Sequence, residues 1–560
     1  MSIFQDVFVR KPGRSLFNLS HERKFSANFG TLYPTLVIDA VPGDTFKLGA
    51  QVIVRTAPMF APLLHRVNVK LNYFFVPNRL LWQDWESFIT GVDQDSYPDS
   101  PNNNYFVNPV KPYVSISTIT DDENDSLFYD GSLADFLGFP TIQPKVDGRP
   151  NGLDGNSTIN IDLLPFYAYN RIYVDWFRNE NLEGGYSKPH GSGDHALDYE
   201  PYMHLKQRNW EKDYFTSCLP FAQRGDPVTI PVANGTIKFD KSGTTKVVEY
   251  GKTIPISNDE SNNQSVQSSN DFDENNNVTW QYDNSGTMKQ VNIDNSSNLK
   301  TEITIGTIND LRLATRIQRW LEKNARVGGR YIEQLLAHFG VHSSDARLQR
   351  VEYLGGFTLP IVVSDVEQNS VNNGGDLVGD LTPLGTLAGK GTAFGQSKPI
   401  KCYCEEFGFI FCIFSIIPRS AYQDGFPRMY KRSTRYDYYF PEFANLGEQE
   451  VTKDELYCDL HDATKQSMAR FGFQERYVEY KYIPSTVHGE FKRNLDFFHL
   501  GRKFTTQPAL NSSFAQVKND ASNNRIFAIT DDSIADHFYC EIFNDVRAMR
   551  PMPKQAIPTL

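Results

Sequence analysis

The sequence predicts a mainly β protein with only a few helices. Short apolar runs recur along the chain and are separated by turn residues, among them 38 Gly and 31 Pro, which is the usual pattern of antiparallel strands. Aromatic side chains make up 13% of the 560 residues. They favour strands and buried contacts, including contacts between subunits. Helical periodicity is confined to three segments, which argues against a helical bundle.

The clearest strands lie near the N-terminus and in one apolar run further on. Residues 35–59, TLVIDAVPGDTFKLGAQVIVRTAPM, predict two strands joined by a Pro-Gly-Asp turn. Residues 66–77 predict another strand. Its alternating apolar positions are Val67, Val69, Leu71 and Tyr73. The run Gly408–Pro418, GFIFCIFSIIP, is shorter than the roughly 20 residues of a membrane helix and predicts a strand buried on both faces. No membrane insertion is expected.

Three segments have the apolar spacing of helices. Residues 164–182 place a row of large side chains on one face, namely Tyr169, Ile172, Tyr173, Trp176 and Phe177. Residues 307–329 predict a longer helix whose apolar stripe is Ala314, Ile317 and Leu321. Residues 331–339 predict a short helix that Gly340 is placed to end. Its inward positions are Ile332, Leu335, Leu336 and Phe339.

The composition changes sharply between residues 256 and 298. In this segment 11 residues are Asn, eight are Ser, seven are acidic and one is Lys. So few apolar side chains cannot bury a core, so the segment is an exposed loop or an excursion carried by the fold. Residues 91–125, rich in Asn, Asp, Pro and Ser, predict a long surface loop. The predicted organisation is a core formed by residues 1–227 and 305–560, interrupted by an insertion, residues 228–304, with a polar tip.

The formal net charge of −11 limits any nucleic-acid contact to a local basic surface, or requires a separate basic partner. Residues 428–440, RMYKRSTRYDYYF, interleave cations with tyrosines, which suits single-stranded nucleic acid. The cations are Arg428, Lys431, Arg432 and Arg435. The alternative is a strand hairpin with rings in the core and cations in water. An N-terminal basic arm with Arg10, Lys11 and Arg14 is a second candidate.

No motif predicts an enzyme or a bound cofactor. His338 and His342 lie four residues apart, but Gly340 separates them and no HExxH motif is present. Residues 384–392, LGTLAGKGT, lack the spacing of a phosphate-binding loop. Residues 121–131, DDENDSLFYDG, are acidic but lack the glycine of an EF-hand loop. A loosely bound calcium ion there is the one metal hypothesis left open.

Arginine and glutamate are concentrated around the stretch RYIEQLLAHFGVHSSDARLQRVEYLGG, residues 330–356. This pattern suits ion pairs and bidentate contacts at a packed junction. We therefore predict an assembly or packing role for six residues: Arg326, Arg330, Glu333, Arg347, Arg350 and Glu352.

Many ordered motifs resemble one viral family. They include FNLSHERKFSANFGTLYP (residues 17–34), RTAPMFAPLLHRVNVKLNYFFVPNRLLWQDWESFITG (55–91), YQDGFPRMYKRSTRYDYYFPEFANLGEQEV (422–451) and RPMPKQAIPTL (550–560). These are similar to segments of the major capsid proteins of the Microviridae, and in particular of the gokushovirus-like branch. The resemblance runs from about residue 14 to the C-terminus and misses mainly the polar loops.

The resemblance implies an eight-stranded antiparallel jelly roll of the viral capsid type, with long loop insertions. It implies that sixty copies form a T=1 shell, with pentamers as building blocks, around a circular single-stranded DNA genome. Expected partners are a small basic DNA-condensing peptide and other phage structural or scaffolding proteins. The protein would be located in the virion and assembled in the bacterial host cytoplasm.

The resemblance also implies that the insertion, residues 228–304, protrudes from the shell and contacts a host receptor, for which a glycan is a candidate. The expected contact residues are Asn275, Asn276, Asn277, Trp280 and Tyr282. The alternative function is a jelly-roll carbohydrate-binding module. Because such a module would stay small, the assembly state distinguishes the two functions.

Overall fold

The computed structural model describes residues 13–91, 108–116, 128–141, 159–185, 191–195, 200–226, 228, 308–327, 336–339, 349–367, 387–461, 468–528 and 536–555, and the backbone of eight strands between 235 and 303. The chain divides into two compact units. The first comprises Met1–Ala222 and Ala325–Leu560, and the second comprises Gln223–Asn324.

The strands of the described residues are, in chain order, β1 (Ser15–Asn18), β2 (His21–Ala27), β3 (Tyr33–Ala40), β4 (Thr45–Thr56), β5 (Val67–Pro77), β6 (Tyr113–Ile116), β7 (Ile159–Asp162), β8 (Gly235–Phe239), β9 (Lys246–Glu249), β10 (Lys252–Pro255), β11 (Gln267–Phe272), β12 (Val278–Gln281), β13 (Met288–Gln290), β14 (Asn292–Asp294), β15 (Leu299–Ile303), β16 (Glu352–Pro360), β17 (Val362–Glu367), β18 (Leu387–Gln396), β19 (Ile400–Tyr403), β20 (Gly408–Pro418), β21 (Glu448–Thr452), β22 (Arg470–Glu475) and β23 (Phe538–Arg550).

The α-helices are α1 (Trp85–Thr90), α2 (Leu133–Leu137), α3 (Leu164–Ile172), α4 (Ile308–Val327), α5 (336–339), α6 (Ser512–Ala515) and α7 (Ala521–Asn524). A π-helical turn, Tyr173–Phe177, continues α3. Short 3-10 turns lie at Asn78–Leu80, Glu200–Tyr202, Arg428–Tyr430, Arg435–Asp437, Pro441–Phe443, Lys453–Glu455, Val478–Tyr480, Gly489–Lys492 and Asp496–Phe498.

Two antiparallel sheets form the centre of the first unit. A seven-stranded sheet has the order β1-β23-β4-β18-β17, with β2 also paired to β23 and β19 also paired to β4. A four-stranded sheet has the order β16-β5-β20-β3. Strands β2, β3, β4 and β5 alternate between the two sheets, and so do β18, β20 and β23. This alternation between facing sheets is that of a jelly roll, and the prediction of a mainly β, antiparallel fold is confirmed.

Apolar side chains fill the space between the sheets. On β4 the inward positions Phe46, Leu48, Val52 and Val54 are fully buried, and they alternate with exposed residues. Burying one such side chain stabilises the fold by about 1.5–3 kcal/mol. From the facing sheet, Phe414 packs against Phe25 with ring centroids 5.2 Å apart and an edge-to-face geometry, which aromatic pairs prefer.

The outer faces of the two sheets have different surroundings. A second core, which includes Phe411 and Ile413 of β20 and Phe166 and Ile172 of α3, covers the four-stranded sheet. This covering explains why β20 is buried on both faces, as its unbroken apolar run predicts. In the seven-stranded sheet, by contrast, the alternate residues of the central strand β4 are exposed or half-buried except for Gly49, which is buried.

The second unit contains small antiparallel sheets and most of α4. The sheets have the orders β10-β9-β14, β11-β12-β13 and β15-β8. Residues before the insertion pack on the helix: the Arg224 amide donates to the Leu321 carbonyl at 3.3 Å, and Gln318 donates to the side-chain oxygen of Gln223. Strands β11–β14 lie inside the polar segment 256–298, so this segment is an excursion with strands and not a simple loop.

Several local predictions differ from the structure. The predicted loop 91–125 contains strand β6, which pairs with β7. In α4 the stripe residue Ala314 is buried, but Ile317 is 39% exposed. In α5 the predicted inward residues Leu336 and Phe339 are 42% and 75% exposed. Helical spacing shows that side chains share a face, but it does not show that another element covers that face.

All six cysteines are free thiols, and five of them are buried. Cys402 and Cys404 have their sulfur atoms 3.9 Å apart, as expected for alternate residues on one face of a strand. No helix in the described part of the chain has both the length and the apolar character needed to cross a membrane.

Candidate assembly and nucleic-acid surfaces

The basic and aromatic stretch, residues 428–440, forms consecutive 3-10 turns and not the hairpin considered as its alternative. Asp437 fixes one turn, because its carboxylate accepts hydrogen bonds from the backbone amides of Thr434 at 2.8 Å and Ser433 at 3.0 Å. The bond from Thr434 is the main cause that lowers the pKa of Asp437.

Three cations of this stretch bind carboxylates of the same chain. Arg428 lies 3.3 Å from Glu455, Lys431 lies 2.8 Å from Asp454, and Arg432 lies 3.9 Å from a third carboxylate, Glu479.

These carboxylates are almost inaccessible, with side chains only 3–10% exposed. Burial is the largest single influence on the pKa of Arg428 and lowers it, but Glu455, Tyr214 and Glu479 together outweigh burial, so the net shift is upward. Burial and Glu455 also raise the pKa of Tyr214, whose hydroxyl donates to Glu455 at 2.8 Å. These charges are therefore offset inside the protein, and Arg435 is the cation of the stretch that stays exposed.

The rings of the same stretch face solvent. Tyr436, Tyr438 and Tyr439 are each 52% exposed and Phe440 is 44% exposed. Ring contacts join them to neighbours: Tyr439 lies 6.3 Å from Tyr480, and both Tyr436 and Phe440 contact Phe443. We call this group the aromatic surface; its members are Tyr436, Tyr438, Tyr439, Phe440, Phe443 and Tyr480.

The aromatic surface is held from behind by arginines. Arg432 lies over Tyr480 at 4.3 Å and over Tyr438 at 5.3 Å from the ring centroids. Because Arg432 is also paired with Glu479, the rings rest on an anchored cation. Exposed apolar groups of this density are typical of surfaces that bind another macromolecule.

The structure describes three of the six predicted packing residues, and the two arginines among them contact other elements of the same chain. Arg350 lies 3.9 Å over the Trp176 ring and donates to the Asp175 carbonyl at 3.0 Å. The Asp175 carboxylate in turn accepts from the Val351 amide at 3.0 Å, so the π-helical turn after α3 is fixed to the residue that precedes β16. Arg326 binds Glu448, and Glu352 lies on β16. The remaining three, Arg330, Glu333 and Arg347, lie outside the described residues.

The other predicted site residues are described only in part. Arg14 is exposed just before β1, while Arg10 and Lys11 lie outside the described residues. Of the predicted host-contact residues, Trp280 belongs to the backbone of β12. The others, Asn275, Asn276, Asn277 and Tyr282, lie outside the described residues, as does most of the acidic segment 121–131. Among the residues that are described, no three His, Cys, Asp or Glu side chains are arranged to hold a metal ion.

A cavity of about 560 Å³ lies near the start of the π-helical turn. Its lining includes Tyr173, Glu183 and Lys206. The Glu183 carboxylate accepts hydrogen bonds from Tyr173 and, at 3.2 Å, from Asn209, and Lys206 donates to the Pro201 carbonyl at 2.8 Å. Both charged groups, Glu183 and Lys206, therefore form hydrogen bonds within the chain.

Three cations that were not predicted from the sequence meet on the seven-stranded sheet. The strand register places Lys47 of β4 directly beside Arg547 of β23 and beside Lys401 of β19. The alternation of residues 45–56 shows that Lys47 is on the polar face. Its two neighbours lie hundreds of residues away in the chain, so only strand pairing reveals them.

Comparison with known proteins decides the family. The family model described as capsid protein (F protein) of phages matches residues 7–560, which is nearly the whole chain. The chain belongs to this phage capsid protein family. The resemblance to the Microviridae capsid proteins, seen first in the motifs, is thereby confirmed.

Individual capsid proteins match over nearly their full length. The chain is 32% identical to the capsid protein VP1 of Chlamydia phage 1, covering 100% of this chain and 97% of that protein. It is 33% identical to VP1 of Bdellovibrio phage phiMH2K, covering 97% and 95%. For VP1 of Spiroplasma virus 4 the identity is 30%, with coverage of 98% and 95%. The core and the insertion therefore both fall within the family's length.

Membership of a capsid protein family gives this chain a structural role and not a catalytic one. Such a role requires surfaces that bind other molecules more than it requires reactive groups. Among the described residues, the aromatic surface and the cations of the seven-stranded sheet are exposed and have chemistry that suits such binding.

Proposed function

We propose that sixty copies of this chain assemble, through pentamers, into a T=1 shell that encloses a circular single-stranded DNA genome. The observation that carries the proposal is the aromatic surface on a member of a phage capsid protein family. Tyrosine and phenylalanine are enriched in protein interfaces, and a few such residues supply most of the binding free energy.

The ion pairs behind the aromatic surface support this role. Association is weakened when flexible side chains must be immobilised, at about 0.5–1.5 kcal/mol for each. Here Arg432 and the buried carboxylate Glu479 already hold the rings of Tyr438 and Tyr480. A surface ordered before contact loses less entropy on assembly, so the same buried area gives tighter binding.

Further partners follow from charge and from the insertion. We propose that a small basic DNA-condensing peptide and scaffolding proteins assist assembly in the host cytoplasm, since a net charge of −11 opposes DNA packaging by the chain alone. We also propose that residues 228–304 contact a host receptor, with a glycan as a candidate ligand, and that the acidic segment 121–131 binds calcium loosely.

Assembly of variants tests the proposed shell. In Tyr436→Ser/Phe440→Ser two members of the aromatic surface become small and polar. We expect the yield of fast-sedimenting shells to fall at least tenfold while the thermal midpoint of the free chain is unchanged. The matched control is Tyr129→Ser/Leu460→Ser, since these side chains are also exposed, at 51% and 78%, but lie outside the aromatic surface.

Sedimentation and electron microscopy of the fast fraction give the result. Normal shells from Tyr436→Ser/Phe440→Ser would reject the aromatic surface as an interface. A wild-type chain that stays dispersed when the other phage structural proteins are added would reject the coat function. That outcome would favour the alternative, a carbohydrate-binding module.

A further inference from the structure

The outer face of the seven-stranded sheet carries a row of like charges. Arg547, Lys47 and Lys401 are direct neighbours on three adjacent strands, and all three are exposed. Adjacent strands lie about 4.8 Å apart, so the row places three cations within about 10 Å. Like charges placed directly opposite each other destabilise a sheet. Folding alone therefore does not favour this arrangement.

Little negative charge offsets this row. In the part of the chain that the structure describes, neither Lys47 nor Lys401 forms an ion pair. Arg547 lies 3.8 Å from Asp545, which is a weak, exposed pair. The cations of residues 428–432 differ from this row, because each of them is paired with a buried carboxylate. The row thus keeps its positive charge available although the whole chain is negative.

Exposed rings lie on the same outer face. Tyr403 follows Lys401 by two residues, so both point to one side of β19, and Tyr403 is 54% exposed. At the other end of the sheet Arg55 of β4 lies beside Tyr539 of β23, and Phe394 of β18 is 69% exposed. Cations for phosphates and rings for bases are the two components of a surface that binds single strands.

The predicted N-terminal arm begins at this corner of the sheet. In β1 Asn18 lies beside Arg547, and Leu16 lies beside Met549. Arg14, which is exposed, directly precedes β1, and it is the described member of the basic arm. Two features found independently, one from the sequence and one from the strand register, therefore meet at the same edge.

We propose that the outer face of the seven-stranded sheet binds the single-stranded DNA, with phosphates on Arg547, Lys47 and Lys401 and bases on the exposed rings beside them. This inference rests on the proposed function, because it assigns the genome contact within the shell. Charge complementarity favours DNA as the ligand. A second copy of this chain is also negative, with a net charge of −11, but it has no regular array of phosphates to match the row of cations.

Salt-dependent binding measures the number of phosphate contacts. We would measure binding of purified full-length chain to fluorescent oligothymidylate by anisotropy over a range of salt concentrations. For single strands the slope of log K against log salt is about −0.7 for each phosphate contact. The variant Lys47→Gln/Lys401→Gln/Arg547→Gln should therefore reduce the slope by about 2 and weaken binding at low salt.

The matched control removes the same charge elsewhere. Lys481→Gln/Lys518→Gln/Arg493→Gln alters two exposed lysines and one exposed arginine on elements outside the sheet, and it should keep the wild-type slope. Lys47→Arg/Lys401→Arg should keep it too, because the charges remain. If the triple variant does not fold, Lys47→Gln alone should reduce the slope by about 0.7.

The outcomes separate this inference from the coat function. Equal slopes for the wild type and for the Gln variants of the row would overturn DNA binding by this face. Loss of shells together with an unchanged slope would assign the face to contacts between copies and would also overturn it. A reduced slope in a chain that never forms shells would support the DNA contact and reject the coat function.

Discussion

His65 shows how one side chain makes the stability of the first unit depend on pH. Its Nε2 atom donates to the Arg419 carbonyl at 2.6 Å. Burial, and then the nearby positive charges of His499, Arg525 and Arg419, lower the pKa of His65 to about 4, although the hydrogen bond acts in the opposite direction. The folded protein therefore keeps this ring neutral at pH values where an unfolded chain is protonated.

The sign of the pH effect follows from proton binding. Between about pH 6.5, the ordinary pKa of histidine, and pH 4, the unfolded state holds more protons at this position, so the unfolding free energy falls as the pH decreases. His65→Gln keeps a donor for the Arg419 carbonyl and removes the titration.

We expect the unfolding free energy from urea unfolding to fall more steeply with decreasing pH for the wild type than for His65→Gln across this window. The difference between the two slopes should correspond to at most one bound proton. Above pH 7 the two slopes should agree. The exposed His204 provides the control His204→Gln, which should follow the wild type. Parallel curves for the wild type and His65→Gln would contradict the argument.

At the scale of elements, the two sheets differ in whether their outer faces are covered or exposed. Strand β20 lies between the inner core and the helix-covered core and is apolar on both sides. Strand β18 has one buried face and one exposed face, so a phenylalanine has opposite surroundings in the two strands. Phe414 on β20 is fully buried, whereas Phe394 on β18 is 69% exposed.

This pair of residues gives a matched stability test. Phe414→Ala removes a ring packed on Phe25 and should reduce the unfolding free energy by about 3–5 kcal/mol. Phe394→Ala should change it by only about 0.5 kcal/mol. The midpoint of urea unfolding at an unchanged m-value measures both. Similar losses for the two variants would mean that another molecule or segment covers the outer face of β18 in solution.

At the scale of the whole molecule, charge is unevenly distributed. The chain has a net charge of −11, yet among the described residues Lys47, Lys401 and Arg547 are direct neighbours on the outer face of one sheet. The cations of the 428–432 stretch are instead paired with buried carboxylates. Such an arrangement allows local contact with DNA and leaves a long-range repulsion that salt or a basic partner must reduce.

Addition of a basic peptide should therefore increase packaging. In reconstitution at moderate salt, we expect more nuclease-protected DNA per shell with a short Lys/Arg-rich peptide than with a neutral peptide of equal length. The effect should shrink as salt is raised, since salt screens the same repulsion. Equal protection with both peptides would show that the coat packages DNA without a cationic partner.

Local sequence patterns determined much of the fold. Alternation and turn residues located β3, β4 and β5, and the unbroken apolar run of β20 predicted its burial on both faces. Helical spacing located α3 and α4 but misjudged the exposure of Ile317 and Phe339. These successes and errors have one cause: periodicity reports which side chains share a face, and burial depends on what covers that face.

The sequence by itself also determined the class of protein, because its ordered motifs match one capsid family along nearly the whole chain. Only the tertiary structure decided which charges are available. Arg428 and Lys431 are sequence neighbours of the tyrosines, yet they turn away to carboxylates further along the chain. Lys47, Lys401 and Arg547 become neighbours through strand pairing alone. Charge acts through space over a few ångströms, so its effect depends on distances that folding creates and that sequence order does not contain.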